Sequence, residues 1–297
     1  MSGLDELARF LREIPIVAVR LSLEVSEDQF EVPRLRGVWG AALHALDPRA
    51  YSVLFKPGDQ GAVGMDEVPG YVVRPRLASN ERADERPGLE LILIGSAVEH
   101  EESALRAWDM ASGMGLGADR IPFPIVERSW VSPSGFSQGR SCPWKLDAVL
   151  DYLGPGDESL PLELGLVAPL SLQRDRRLID QPSLVDIVGK TCRRMESFLP
   201  SELRQSWYAW RGSLIEDARR RPAVGRFERA QRTHRYSARQ NRDLYIPGVV
   251  GALRLPHGAG PLLPILMALE WIHVGKGANL GLGRAAVRFG ATETPSS

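Results

Sequence analysis

Residues 260–289 read GPLLPILMALEWIHVGKGANLGLGRAAVRF, and the rest of the chain is understood from this stretch outward. An apolar helical run, Leu262 to Ile272, leads into His273. A loop follows with glycine at 275, 277, 281 and 283 and one cation, Lys276, among them. Arg284 then leads a short alternating strand, Ala286 to Phe289. Glycine admits positive φ and lets a ligand approach the backbone closely. Successive exposed N–H groups in such a loop form a concavity suited to phosphate oxygens. The same loop could equally do no more than turn a corner. It is not a Walker loop, because no GK[ST] opens a helix, and it is not a Rossmann fingerprint, because its glycines follow a helix and precede a strand.

The composition is that of a globular chain with a sizeable core: 297 residues, 43% hydrophobic and 25% charged. Thirty-seven basic residues balance 37 acidic ones, so any anion site must come from local clustering. The two cysteines, Cys142 and Cys192, make neither a disulfide framework nor a zinc site, and a reducing cytoplasm is expected. The N-terminal MSGLDELARFLREIP lacks the apolar centre of a signal peptide. No stretch reaches the roughly 20 apolar residues that span a bilayer, so no membrane partner is expected.

Residues 14–25 read as a strand with partial alternation. Pro33 then stands where a helix can begin, and apolar residues at 35, 38, 39, 42, 43 and 46 have helical spacing. On that helix His44 shares a face with Gly37 and Gly40, which either opens the imidazole to something bulky or lets the helix pack closely. Asp47-Pro48 ends the helix, and Tyr51 and Lys56 fall in a loop-like stretch. Residues 71–76 and 88–97 read as strands, 99–111 as a helix running into the glycine loop 113–117, and 123–127 as a strand. The order strand, helix, strand, strand, helix, strand is ferredoxin-like.

The stretch 130–159, rich in Ser, Gly and Pro, reads as a connection. The second half repeats the order: strand-like 160–172, helical 182–199 and 203–220, strands 226–236 and 245–255 as a candidate pair, the helix 262–272, and the last strand. The expectation is an α+β chain of two tandem ferredoxin-like units, 1–129 and 160–297, joined by 130–159. Both units end helix, glycine loop, strand, a possible internal duplication of element order.

Nine arginines and a single acid, Glu228, lie between Arg219 and Arg242, with Phe227 and Tyr236 among them. Arginine pairs with phosphate through a planar fork and stacks on bases, so this run is a candidate nucleic-acid footprint. No HExxH, zinc-deaminase pattern, nucleophile elbow or cluster of carboxylates for two-metal chemistry is present. Phosphodiester cleavage would then proceed without metal, which RNA permits because its 2′-hydroxyl is the nucleophile. That reaction needs a base, an acid for the departing 5′-oxygen, and cations or N–H groups for the phosphorane charge.

Three stretches resemble one known family. They are LRGVWGAALH at 35–44, followed by PGYVVRPRL at 69–77; RYSARQ at 235–240, followed by PGVVG at 247–251; and EWIHVGKG at 270–277, running into GLGR at 281–284. They are similar to motifs of the CRISPR-associated endoribonucleases that process precursor crRNA, the sixth Cas protein, of the RAMP superfamily. The resemblance implies two tandem RRM-like βαββαβ domains with a C-terminal glycine-rich loop. It implies binding of CRISPR repeat RNA and metal-independent cleavage within each repeat, leaving 2′,3′-cyclic phosphate and 5′-hydroxyl ends. No cofactor is implied, and other Cas proteins of an effector complex are candidate partners.

Several members of that family use a histidine at or just after the first helix, a tyrosine a few residues on, and sometimes a lysine. Here His44 fits as general base or acid, Tyr51 as its partner and Lys56 as a phosphate clamp, with His273 as the rival for proton transfer. RNA contacts are expected from Arg34, Arg36, Arg232, His234, Arg235, Tyr236, Ser237 and Arg239. The glycine-rich loop, with His273, Gly275, Lys276, Gly277, Gly281, Gly283 and Arg284, is the family's RNA-backbone element. Two other readings use the same features: a non-catalytic RAMP subunit that holds crRNA, and a protein that binds a small nucleotide in a closed pocket near Lys276.

Overall fold

The computed structural model describes residues 3–25, 30–56, 68–76, 87–154, 156–230, 233–237 and 242–290. A short helix, α1 (Gly3–Leu11), leads into β1 (Pro15–Leu23). Two helices follow at a sharp corner, α2 (Val32–Leu46) and α3 (Pro48–Phe55). Then come β2 (Tyr71–Arg76), β3 (Gly88–Ile94), α4 (Glu101–Met114), β4 (Ile125–Ser132), β5 (Gly135–Gln138) and the two-residue β6 (Trp144–Lys145). The sheet is antiparallel with order β2-β3-β1-β4-β5, and β6 pairs with the start of β1. Strands β1 to β4 thus have the ferredoxin-like order.

The second half starts with β7 (Leu162–Leu166) and a small hairpin, β8 (Gln173–Arg174) and β9 (Arg177–Leu178). Helices α5 (Leu184–Glu196) and α6 (Ser201–Arg220) lead to β10 (Val224–Arg229). A second hairpin, β11 (Thr233–Ser237) and β12 (Arg242–Ile246), precedes β13 (Val249–Leu255), α7 (Leu263–Ile272) and β14 (Ala285–Phe289). The sheet order is β10-β13-β7-β14, the same arrangement again. The element order expected from the sequence is therefore present in both halves, and the fold is α+β with paired ferredoxin-like sheets.

The partial alternation of β1 has a packing reason. Val17, Val19, Leu21 and Leu23 join a core with Leu35, Trp39, Leu43 and Trp108 of the first half's own helices. Ile16 and Ala18, on the opposite face, join a core with Leu266, Leu269 and Ile272 of α7. A strand buried on both faces cannot read as apolar-in, polar-out. Helix α1 belongs to that second core as well: Leu7, Phe10 and Leu11 are buried in it, and Phe10 meets the Trp207 ring edge-on at 5.2 Å.

Two expectations need correction. The loop-like stretch after His44 is helical, because Asp47 stops one helix and starts the next. Its carboxylate accepts from the N–H groups of Arg49 at 3.1 Å and Ala50 at 3.0 Å, and Pro48 takes the first helical turn, where no N–H is needed. Residues 226–236 and 245–255 do not form one continuous ladder either. Val224 to Arg229 pair with Arg254 to Val249, while Thr233 to Ser237 pair separately with Ile246 to Arg242. Pro247, which has no N–H to donate, stands between the two ladders.

Candidate RNA-cleaving site and nucleic-acid interface

The α2–α3 corner brings the three candidate catalytic side chains together. The His44 and Tyr51 rings meet edge-to-face with centroids 4.7 Å apart. The Lys56 ammonium lies 5.9 Å from the Tyr51 ring centre. His44 and Lys56 are exposed and Tyr51 half-buried. Gly37 and Gly40 do different things. A Cβ on Gly37 would meet nothing within 4 Å, whereas one on Gly40 would come within 2.6 Å of the Phe55 ring. Gly40 therefore lets α3 dock against α2, and only Gly37 leaves open space on the histidine's face. The cap at Asp47 fixes the corner: hydrogen bonds from the Ala50 N–H and the Ser103 hydroxyl hold its carboxyl below the usual carboxylate range.

From Tyr51 a line of aromatic rings runs to the other half of the chain. Tyr51 stacks on Phe55 at 5.0 Å, and Phe55 on Tyr71 of β2 at 5.2 Å. The Tyr71 hydroxyl accepts from Arg36 Nε at 2.8 Å and from Asn279 Nδ2, in the glycine-rich loop, at 3.2 Å. The Arg36 guanidinium also lies 4.3 Å from the Phe55 ring centre. Arg36 is therefore engaged in the cluster beneath the corner. Arg34 is exposed beside Glu31 at 2.9 Å.

The glycine-rich loop corrects the phosphate-cradle expectation. All four glycines have positive φ, from 68° to 89°. Most N–H groups of the loop, however, are already used. Lys276 donates to the Ser171 carbonyl at 2.9 Å and Gly283 to that of Pro169 at 2.9 Å. Leu280 donates to the Gly277 carbonyl at 2.8 Å, and Ala278, Gly281 and Leu282 also bond within the loop. Gly281 and Gly283 are buried, Gly281 against Arg74 and the Pro75 ring of β2 and Gly283 against the Val274 carbonyl. Both positions are taken up by packing inside the protein. Gly275 and Gly277 are half-buried, and the Lys276 side chain is exposed.

His273, expected as an RNA contact and as the rival for proton transfer, is 0% exposed. It stands 3.1 Å from the Leu282 carbonyl through Nδ1, which must carry the proton since a carbonyl only accepts. Its Nε2 is buried without a partner among the described residues. Burial first, then Arg74, hold its pKa well below 6.5; the bond to Leu282 opposes them, and Arg284 and Arg194 add smaller pulls downward. Its backbone, at φ 51° and ψ 170°, occupies a region nearly reserved for glycine.

A buried chain of charges ties β2 to the loop. Glu90 accepts from Arg20 at 2.8 Å and from Arg74 at 2.5 Å. Arg74 also donates to the Glu270 carbonyl at 2.7 Å, and the Glu270 carboxylate pairs with Arg284. Arg284 is therefore partly committed to an ion pair inside the protein. Burial pushes the Glu90 carboxyl up, but Arg74 and Arg20 outweigh it and leave its pKa lowered.

The hairpin β11–β12 holds His234, Arg235, Tyr236 and Ser237 on β11 and packs beside α2. Ile246, at its far end, is buried with Leu280 and Leu282 of the loop. Arg232 and Arg239 lie outside the described residues. Within the basic run, Arg229 forks onto Asp180 at 2.9 and 2.7 Å and Arg221 donates to the Gly258 carbonyl at 3.0 Å, so part of that run pairs internally. The residues that join the corner to the loop, Phe55, Tyr71, Arg74 and Asn279, were not singled out from the sequence. Arg74, a charged residue directly after Val72 and Val73 in the stretch 69–77, was the available signal.

Paired RRM-like halves, an exposed histidine–tyrosine corner on one and a glycine-rich loop of the other seated beside it, define a class of two-unit ferredoxin-like proteins. Compared by sequence with curated proteins, the chain has no match. A family model described as an N-terminal domain matches residues 14–140. A family model described as CRISPR-associated endoribonuclease Cas6 matches residues 164–285.

Solved structures agree on the fold. A product complex of Cas6 (TTHB231), a Thermus thermophilus protein, is similar with TM-score 0.59 at 17% identity, covering 93% of this chain and 100% of that one. A product complex of Cas6 (TTHA0078) gives 0.56 at 18%, covering 92% and 99%. A partial Cas6-RT-Cas1–Cas2 complex gives 0.53 at 11%, covering 96% of this chain and 48% of that one. Among the described residues no helix is long and apolar enough to cross a membrane, and no group of three or more His, Cys, Asp or Glu side chains could hold a metal ion.

Proposed function

We propose that this protein binds CRISPR repeat RNA and cleaves precursor crRNA within the repeats, without metal, by attack of the 2′-hydroxyl on the adjacent phosphorus. The reading rests on one observation above all: His44 and Tyr51 stand ring to ring on an open corner beside Lys56. In this reading one of the pair takes the 2′-OH proton and the other supplies a proton to the departing 5′-oxygen, while Lys56 offsets the negative charge of the phosphorane. The P–O5′ bond breaks as the P–O2′ bond forms, leaving a 2′,3′-cyclic phosphate and a 5′-hydroxyl. Lys276 on the loop and the β11–β12 hairpin beside α2 are the elements that would hold the RNA backbone. Similarity to Cas6 product complexes and to a Cas6-RT-Cas1–Cas2 complex supports repeat RNA, and other Cas proteins, as partners. A cytoplasmic location is part of the same reading.

The test is cleavage of repeat RNA in EDTA, with a second RNA that carries a 2′-deoxy sugar at the cut. Cleavage of the first and not the second is expected. His44→Ala should slow it by about 10²–10⁴-fold, and Tyr51→Phe should slow it as well. Full activity of His44→Ala would refute the assignment. Tight binding without cleavage by the wild type would favour a subunit that only holds crRNA.

A further inference from the structure

Helix α4 grips both helices of the α2–α3 corner through neighbouring residues. The Ala104 carbonyl accepts a buried bond from Trp39 Nε1 of α2 at 3.0 Å, and the Trp39 ring stacks on Trp108 with centroids 5.4 Å apart. One residue earlier, the Ser103 hydroxyl reaches the Asp47 carboxylate at 2.7 Å. Asp47 divides its oxygens. Oδ1 accepts from the N–H groups of Arg49 and Ala50 at the start of α3, and Oδ2 takes Ser103. The Asp47 carboxyl lies below the usual range, so at neutral pH it can only accept and the hydroxyl donates. The first turn of α4 is itself fixed: Glu101 accepts from Trp130 Nε1 on β4 at 2.7 Å and from the Ser141 hydroxyl at 2.6 Å.

The helix cap alone leaves α3 a freedom. The Asp47 N–H donates to the Leu43 carbonyl of α2 at 2.8 Å, and the Tyr51 N–H to the Asp47 carbonyl at 3.0 Å. These bonds join the two helices to Asp47 but to no third element, so Asp47 is a pivot between them. The bond from Ser103 ties that pivot to α4. Four helical residues rise about 6 Å, so a swing of about 10° at Asp47 displaces Tyr51 by roughly 1 Å. Reacting groups misplaced by about 1 Å can cost about 10²-fold in rate.

We propose that Ser103 is a positioning residue of the corner: its bond to Asp47 Oδ2 sets the swing of α3, and with it the contact between the His44 and Tyr51 rings. Ser103 is half-buried and its one hydroxyl proton goes to Asp47, so it acts through the pivot and not on the RNA. The catalytic consequence rests on the RNA-cleaving reading, but the geometry of the ring pair does not.

Two measurements on the full-length protein test this. The first needs no RNA. An aromatic ring shifts the resonances of a neighbour held 4.7 Å away, so the Cε1–H signal of His44 reports on Tyr51. That signal is assigned with His44→Gln in histidine-labelled protein, and Tyr51→Leu gives its position without the ring. Ser103→Ala should move it part of the way towards that position. Ser103→Thr, which keeps the hydroxyl, should return it to the wild-type position. A His44 signal in S103A identical to that of the wild type overturns the proposal.

The second is single-turnover cleavage of repeat RNA at saturating protein, with affinity measured on RNA carrying a 2′-deoxy sugar at the cut. S103A should slow cleavage by about 10- to 10²-fold, with affinity unchanged. Its melting temperature should fall by no more than about 4 °C, the scale of one hydrogen bond, and S103T should restore the rate. Cleavage by S103A at the full rate overturns the proposal. So does a slowed rate that comes with an equal loss of RNA affinity or a collapsed melting transition, which would make Ser103 a general support of the fold. A wild type that cleaves no repeat RNA sinks the RNA-cleaving reading and the catalytic role of Ser103 with it, while the His44 signal still decides whether Ser103 sets the ring pair.

Discussion

Mild acid should weaken this protein through one side chain, His273. Its imidazole is fully buried, bonded through Nδ1 to the Leu282 carbonyl and surrounded by Arg74, Arg284 and Arg194. The folded chain therefore holds the ring neutral, while in the unfolded chain it takes up a proton near pH 6.5. Because the folded pKa is the lower one, the stabilising contribution is present above pH 6.5 and falls away as the pH drops below it. Each pH unit in that range costs about 1.4 kcal/mol. Between pH 7.5 and pH 5.0 the loss amounts to about 2 kcal/mol. Carboxylates contribute their own loss towards pH 5, so the measurement has to be a difference. Urea unfolding of wild type and His273→Asn would be followed from pH 7.5 to 5.0. Asparagine can still donate to the Leu282 carbonyl and does not titrate. The variant should start less stable, because a buried ring is gone, and the gap should close by about 2 kcal/mol on acidification. Parallel curves over the whole range would refute the account of His273 as a buried neutral ring.

Three substitutions address the supports of the site. Glu90→Gln removes the nearer counter-charge of the buried Arg74 guanidinium and leaves only the Glu270 carboxylate at 4.0 Å, and should cost about 3–5 kcal/mol in denaturant unfolding; a loss below about 1 kcal/mol, the scale of a surface pair, would mean the charge chain is not what holds β2 to the loop. Gly40→Ala puts a methyl group 2.6 Å from the Phe55 ring, so α3 must shift; a cost of about 1–3 kcal/mol is expected, together with slower RNA cleavage as Tyr51 moves, and unaltered cleavage would argue against the α2–α3 corner as the active site. Gly283→Ala combines φ 68° with overlap on the Val274 carbonyl. It should cost well over about 1 kcal/mol, and near-native stability by thermal unfolding would show that the loop is not locked by its backbone bonds.

What the sequence allowed to be read, and what it hid, divides along one physical line. Periodicity and glycine spacing are local, so α7, the loop after it and β14 could be placed from residues 260–289 alone. Positive φ at four glycines was legible for the same reason. Whether the loop's N–H groups were free was not, because the carbonyls of Pro169 and Ser171 that occupy two of them lie about a hundred residues away. His273 stood in the strongest motif, but its burial depends on a packed interior that no motif encodes. The corner at Asp47 was hidden differently. Asp-Pro marks both an end and a beginning, and only the end was taken from it. On an unbroken helix, seven residues from His44 to Tyr51 would rise about 10 Å. The rings are instead 4.7 Å apart. The break lets α3 fold back, Asp47 caps the new helix, and Gly40 admits Phe55 beneath it. The proximity of the two proposed catalytic side chains is thus a consequence of where the first helix stops.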